Sequence, residues 1–125
     1  MRSILWWGGL ALGWAQGVLQ VSPVEYPFGR VRQGTLVKAT FTLRNTGPEA
    51  VQIQDIKPSC NCSVLSWERR TILPGDSLKV EATFNTAGKV GRQRKSFAVL
   101  STAQNSPLLF YLVGEVEATT PYGDE

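Results

Sequence analysis

An all-β sandwich is the fold this 125-residue chain predicts, on three observations. Apolar residues recur at every second position in several separate runs, as they do along strands that bury one face. Glycine, proline and asparagine punctuate those runs at roughly 8 to 12 residues, the rhythm of short strands joined by turns. After Gly17 no stretch repeats its apolar residues at helical spacing. About seven strands spaced this way point to two packed sheets of immunoglobulin-like type, with a small open barrel as the structural rival.

The chain opens with an export pattern. Met1-Arg2-Ser3 gives a positive start, Ile4 to Leu12 a short apolar run, and Ala11 to Gly17 a stretch of mostly small residues suited to a signal peptidase. The expected signal peptide is 1–15, with Gly13 and Ala15 at the small-residue positions; a cut after Gly17 is the alternative. A membrane-spanning helix needs roughly 20 apolar residues, and Gln16 and Gln20 interrupt the run too early. No cysteine follows it, so a lipid anchor is not indicated. The predicted location is across the inner membrane, in the periplasm or outside. Loss of the leader removes Trp6, Trp7 and Trp14, leaves Trp67 as the only tryptophan, and takes the formal charge from +3 to +2 with the loss of Arg2. That imbalance is too small to argue for nucleic acid. About 110 residues remain, enough for one core. The domain is expected over 24–117, followed by a polar tail, 118–125.

Along that domain, Val24-Glu25-Tyr26-Pro27-Phe28 reads as an edge strand limited by Pro27, a surface open to strand addition. Val37, Ala39, Phe41 and Leu43 alternate with Lys38, Thr40, Thr42 and Arg44. Val51 and Ile53 give a shorter alternating piece, Leu78, Val80, Ala82 and Phe84 a long one, and Phe97 and Val99 another. Leu108 to Val113 is apolar throughout, which predicts a place in the middle of a sheet. Between them, Asn45-Thr46-Gly47-Pro48 offers an asparagine tolerant of positive φ before a helix breaker. Pro74-Gly75 fits the centre of a type II turn. Gly88 and Gly91 bracket a further bend, and Asn105-Ser106-Pro107 opens the last long strand.

Taken in order, Phe41-Thr42-Leu43-Arg44-Asn45-Thr46-Gly47, Ser59-Cys60-Asn61-Cys62, Leu73-Pro74-Gly75-Asp76-Ser77, Phe84 with Gly88 and Gly91, and Leu112-Val113-Gly114-Glu115-Val116 resemble one bacterial group. It is the secreted immunoglobulin-like family known as domain of unknown function fifteen seventy-three. The resemblance runs from about Val24 to Glu117, and the Cys-x-Cys element is its most specific part. More distantly the chain is similar to pilus-chaperone and sperm-protein-like sandwiches. The resemblance implies an exported, non-catalytic module and brings no established activity with it. Family members usually carry glycine where this chain has Asn61, a mild departure, since asparagine also tolerates positive φ.

Cys60 and Cys62 are the only thiols, and three readings of them stand. They are small apolar side chains packed on one strand face, or a disulfide, or a soft-metal site. As a staple the bond is weak: closing a three-residue loop is worth about 1.6 kcal/mol, against about 3 for fifteen residues. Residues i and i+2 of an extended strand also lie near the upper limit of Cα separation for a disulfide, so a bond needs a local bend. Exported thiols tend to be oxidised, and the chain offers neither one any other partner. Two thiolates can hold Cu(I), but a four-ligand zinc set is missing, so a metal would have to be shared with a second molecule. No cofactor is expected.

The chain has no histidine, which removes Ser-His-Asp and Cys-His catalysis and imidazole metal centres. Thioredoxin-like chemistry needs Cys-x-x-Cys in a βαβ setting, and neither is present. Glu115 and Glu117 share a strand face and form the one carboxylate pair worth naming, with a solvated edge as the plainer account. Lys89, Arg92, Arg94 and Lys95 form a basic run, with Arg69-Arg70 in another loop. Such a patch suits an anionic partner, an acidic surface polymer or an acidic protein, or else protects a sheet edge. No aromatic residue is interleaved for base stacking. The sequence therefore predicts a non-catalytic, exported module with a structural or protein-interaction role in the cell envelope. The alternative is a thiol-based accessory factor acting through Cys60 and Cys62.

Overall fold

Alternating sequence becomes paired strand almost wherever it occurs. The computed structural model describes residues 16–119; the expected leader 1–15 and the tail beyond Thr119 lie outside the described residues. Eight strands follow one another: β1 (Leu19–Ser22), β2 (Glu25–Arg32), β3 (Leu36–Asn45), β4 (Ile53–Pro58), β5 (Ser63–Trp67), β6 (Ser77–Asn85), β7 (Gly91–Ser101) and β8 (Leu108–Glu117). They form two four-stranded sheets, ordered β1-β3-β6-β5 and β2-β8-β7-β4. Pairing is antiparallel throughout except between β2 and β8, which run parallel. Among the described residues no helix is long and apolar enough to cross a membrane.

The long strands of the first sheet bury the residues their alternation marked. Val37, Ala39, Phe41 and Leu43 of β3 and Leu78, Val80, Ala82 and Phe84 of β6 all face the core. Across the gap, Phe97 of β7 and Phe110 of β8 complete it, with the Phe41 ring 4.4 Å from Phe110 and Phe97 stacked at 5.1 Å on Phe110. β8 lies between β2 and β7, the interior position its unbroken apolar run predicts. β2 is an edge strand, as Pro27 implied. The Pro74-Gly75 turn closes with Asp76 N–H donating to the Leu73 carbonyl at 2.9 Å, with Gly75 at φ 82° in the position that requires glycine.

Two strands are not marked by the sequence pattern. The sandwich begins at Leu19, not Val24: β1 pairs Leu19 with Asn45 and Val21 with Leu43, and both apolar side chains are buried. β5 follows the cysteines directly and pairs with β6. The asparagines also work otherwise than expected. No residue other than glycine has positive φ among the described residues, so neither Asn45 nor Asn61 uses the left-handed conformation. Asn45 is instead fully buried, and its amide bonds four backbone groups.

Candidate functional site

Cys60 and Cys62 are joined by a disulfide with a Cα–Cα separation of 5.3 Å. The bend it needs comes from the turn at 59–62, where the chain leaves β4 in one sheet for β5 in the other. Ser59 N–H donates to the Ser96 carbonyl before the bridge, and Asn85 N–H donates to the Cys62 carbonyl after it, at 2.8 and 2.9 Å. The crossover is thus pinned to both sheets by hydrogen bonds independent of sulfur. Cys62 packs against the core while both cysteines keep partial exposure. Trp67 stands at the far end of β5, about 16 Å along the strand from Cys62 at 3.3 Å per residue, so its indole is not a neighbour of the bridge.

Because the loop closed is so short, replacing both cysteines with serine is expected to lower stability by no more than about 1.6 kcal/mol. Thermal unfolding of the Cys60→Ser/Cys62→Ser variant checks this. A loss of several times that size would make the bridge a principal structural element.

The basic run does not form one patch. Along β7 the pleat sends Arg92 and Arg94 to the outer face of the second sheet and Lys95 to the inner side, where its Nζ lies 5.5 Å from the Phe84 ring. Burial, helped by the nearby charge of Lys89, lowers the Lys95 pKa. Arg94 is already engaged: it bonds Glu25 at 2.6 Å and lies 4.1 Å over the Tyr111 ring. The hydrogen bond to Glu25 is the main cause that raises its pKa. Neither Arg92 on the outer face nor the half-buried Lys89 in the preceding turn has a carboxylate partner among the described residues.

Glu115 and Glu117 do share one face, but Arg30 sits between them at 3.7 and 3.5 Å. An exposed carboxylate pair bridged by one guanidinium on the outer face of an interior strand reads as a solvated surface ion cluster. Of the Arg69-Arg70 pair, Arg70 bonds Glu68 at 2.9 Å and Asp76 at 2.7 Å. The Asp76 carboxyl is held below its usual range, first by the Ser77 N–H and then by Arg70. Arg69 lies 4.2 Å over Trp67.

A groove that no sequence motif marks, of about 610 Å³, lies between β1 and the start of β8, lined by Leu19, Val21, Val24, Leu108 and Leu109 together with the polar Gln20, Ser22, Thr42, Arg44 and Ser77. Val24 and Leu109 keep 54% and 44% of their surface exposed there. The signal was present in Leu19, Val21 and Val24, but without β1 in the sandwich those residues had no surface to belong to.

These features belong to an immunoglobulin-like sandwich of two four-stranded sheets. The chain belongs to the family described as protein of unknown function, DUF1573, which matches residues 19–116. No curated protein matches it by sequence. Among solved structures it is similar to a protein of unknown function from Porphyromonas gingivalis W83, with TM-score 0.70 and 19% identity over 81% of this chain and 48% of that one. The chain therefore spans about half of that protein. It is also similar to a PapD-like (ASH) domain of human CEP192, with TM-score 0.67 and 15% identity over 85% of this chain and 89% of that one. A third likeness is to SSP-19, an MSP-domain protein like family member of Caenorhabditis elegans, with TM-score 0.50 and 19% identity over 79% and 99% of the two chains. At these identities the likeness is one of fold.

Proposed function

We propose that this chain is an exported, non-catalytic module of the bacterial cell envelope that works by holding another protein. The observation that carries the reading is the groove beside β1. It lies between β1 and the start of β8, and it is lined by five apolar residues, of which Val24 and Leu109 are large side chains that a free monomer gains nothing by exposing. A protein segment presenting apolar side chains between polar ones matches its mixed lining. Export rests on the positive and apolar pattern of residues 1–15. The lack of histidine and the pairing of Glu115 and Glu117 with Arg30 support a role without catalysis.

The test is recovery of envelope proteins on three baits: wild type, Val24→Asp/Leu109→Asp, and Lys89→Glu/Arg92→Glu. The groove variant is expected to lose the wild-type set at least tenfold and the charge variant to keep it. Loss on the charge variant alone would replace this reading with an anionic partner, whether protein or surface polymer. Equal recovery on all three baits would leave neither surface with a role.

A second reading, thiol exchange at Cys60–Cys62, draws on the disulfide itself, which contributes little as a staple and keeps partial exposure. It requires that the native protein show no free thiol and gain two on mild reduction without unfolding. Titration of two thiols before any reductant is added would end it.

A further inference from the structure

Each sheet of a sandwich has two edges, and an edge with unpaired N–H and C=O groups is a template for another strand unless something blunts it. Three of the four edges here are blunted. On β1, the backbone groups of Leu19 that face away from β3 are both taken by Asn105, which accepts from the N–H at 3.1 Å and donates to the carbonyl at 2.8 Å. On β2, Pro27 lacks an N–H and a bulge between Pro27 and Gly29 breaks the edge. On β4, Pro58 again removes a donor and the Asp55 carboxylate accepts from Ile56 N–H at 2.9 Å.

β5 has no such device. Its run, Ser63-Val64-Leu65-Ser66-Trp67, holds no proline, glycine or charge. The bond from Asn85 N–H to the Cys62 carbonyl fixes the phase of the ladder, so Val64 and Ser66 bond to β6 while Ser63, Leu65 and Trp67 turn their backbone groups outward. Those groups meet no partner among the described residues. Val64 is the most exposed of the large apolar side chains, at 67%.

We propose that β5 is a self-association edge, at which two copies of this chain pair antiparallel about a two-fold axis through Leu65. The free groups are self-complementary. In that register Leu65 faces Leu65 and Ser63 faces Trp67, so each outward N–H and C=O of one copy meets its counterpart in the other. Beyond the strand, Arg69 comes opposite Asn61 and Glu68 opposite Cys62, so no like charges meet. Val64 falls opposite Ser66 of the second copy, which flanks it on the same sheet face. The product is one continuous eight-stranded sheet, β1-β3-β6-β5 followed by its reverse. The grooves beside β1 then lie at its two far ends, both open. A five-residue edge buries little area, so the dimer is weak and dissociates on dilution.

Sedimentation equilibrium from about 10 μM to about 1 mM, a range that spans weak association, is expected to show a monomer–dimer equilibrium. Val64→Lys places two lysines diagonally across the junction without touching the β5–β6 bonds, and is expected to weaken the dimer at least tenfold while circular dichroism stays unchanged. Leu65→Pro removes an outward N–H, together with a side chain packed against the core, and is expected to abolish it; should that variant unfold, Val64→Lys decides. In a Cys60→Ser/Cys62→Ser background, Leu65→Cys is expected to form a disulfide-linked dimer on oxidation, since facing Cα atoms of such a pair lie about 5.5 Å apart. Ser66→Cys, facing Val64, should not. A monomer throughout the range, a dimer indifferent to Val64→Lys, or equal cross-linking at both positions would overturn the proposal. None of these readouts depends on the groove having a partner.

Discussion

Asn45→Ala is expected to lower stability by about 3–5 kcal/mol, a large part of the roughly 5–15 kcal/mol that holds a typical domain together. Asn45 ends β3 with no exposed surface. Its side-chain oxygen accepts from Gly47 N–H at 3.0 Å and Val18 N–H at 3.4 Å, and its amide donates to the carbonyls of Glu49 at 2.7 Å and Ile72 at 2.9 Å. All four hydrogen-bonding positions of the amide are therefore used. One side chain thus fastens the segment entering β1, the turn after β3 and the Val51–Ile72 bridge. Alanine leaves the N–H groups of Val18 and Gly47 and the Glu49 carbonyl unmet where water enters poorly, while the Ile72 carbonyl keeps its bond from Val51 N–H. Asn45→Asp separates the halves of the argument, because it keeps the acceptor but aims a carboxylate oxygen at two carbonyls. It is expected to be at least as damaging near neutral pH. Urea unfolding midpoints check both variants. A loss below about 1 kcal/mol for alanine, or an aspartate variant equal to wild type, would show that these bonds are replaced by solvent.

The same residue shows why local pattern reveals only part of the fold. Period-two alternation marks β3, β6 and the apolar half of β7 because each sends successive side chains to opposite faces, and the unbroken Leu108–Val113 run marks an interior strand. β1 offers only Leu19 and Val21, which merge into the apolar leader run before them. β5 places Val64 and Leu65 on opposite faces, so polarity gives no phase. The side of a sheet on which a charge falls depends on pleat and register, so four basic residues close in sequence divide between two faces at Arg94 and Lys95. Asn45 reads as a turn former from its neighbours Gly47 and Pro48. Its partners Val18 and Ile72 each lie 27 residues away along the chain, and no local pattern encodes that meeting. The Cys-x-Cys pair is plain in the sequence, but its closure depends on a bend that the β4–β5 crossover supplies.

Phe41→Ala is the second large loss, about 3–5 kcal/mol. The ring is fully buried and belongs to β3 of the first sheet, while its neighbours Tyr26, Phe97 and Phe110 belong to the second, at centroid distances of 5.8, 6.3 and 4.4 Å. Removing it empties the space between the layers at a point walled by three rigid rings, which cannot close without moving β2, β7 and β8 together. The cost is therefore transfer plus an uncollapsed cavity, and the tilted ring-on-ring attraction disappears with it. Phe28 is the matched control. Its ring packs at 5.9 Å on Phe84 and over Gly114, but it is partly exposed near a sheet edge, where water fills what alanine vacates. Phe28→Ala is expected to cost less than half as much by the same unfolding measurement. Equal losses at the two positions would mean that stability here follows apolar area removed from water and not the closed packing between the sheets.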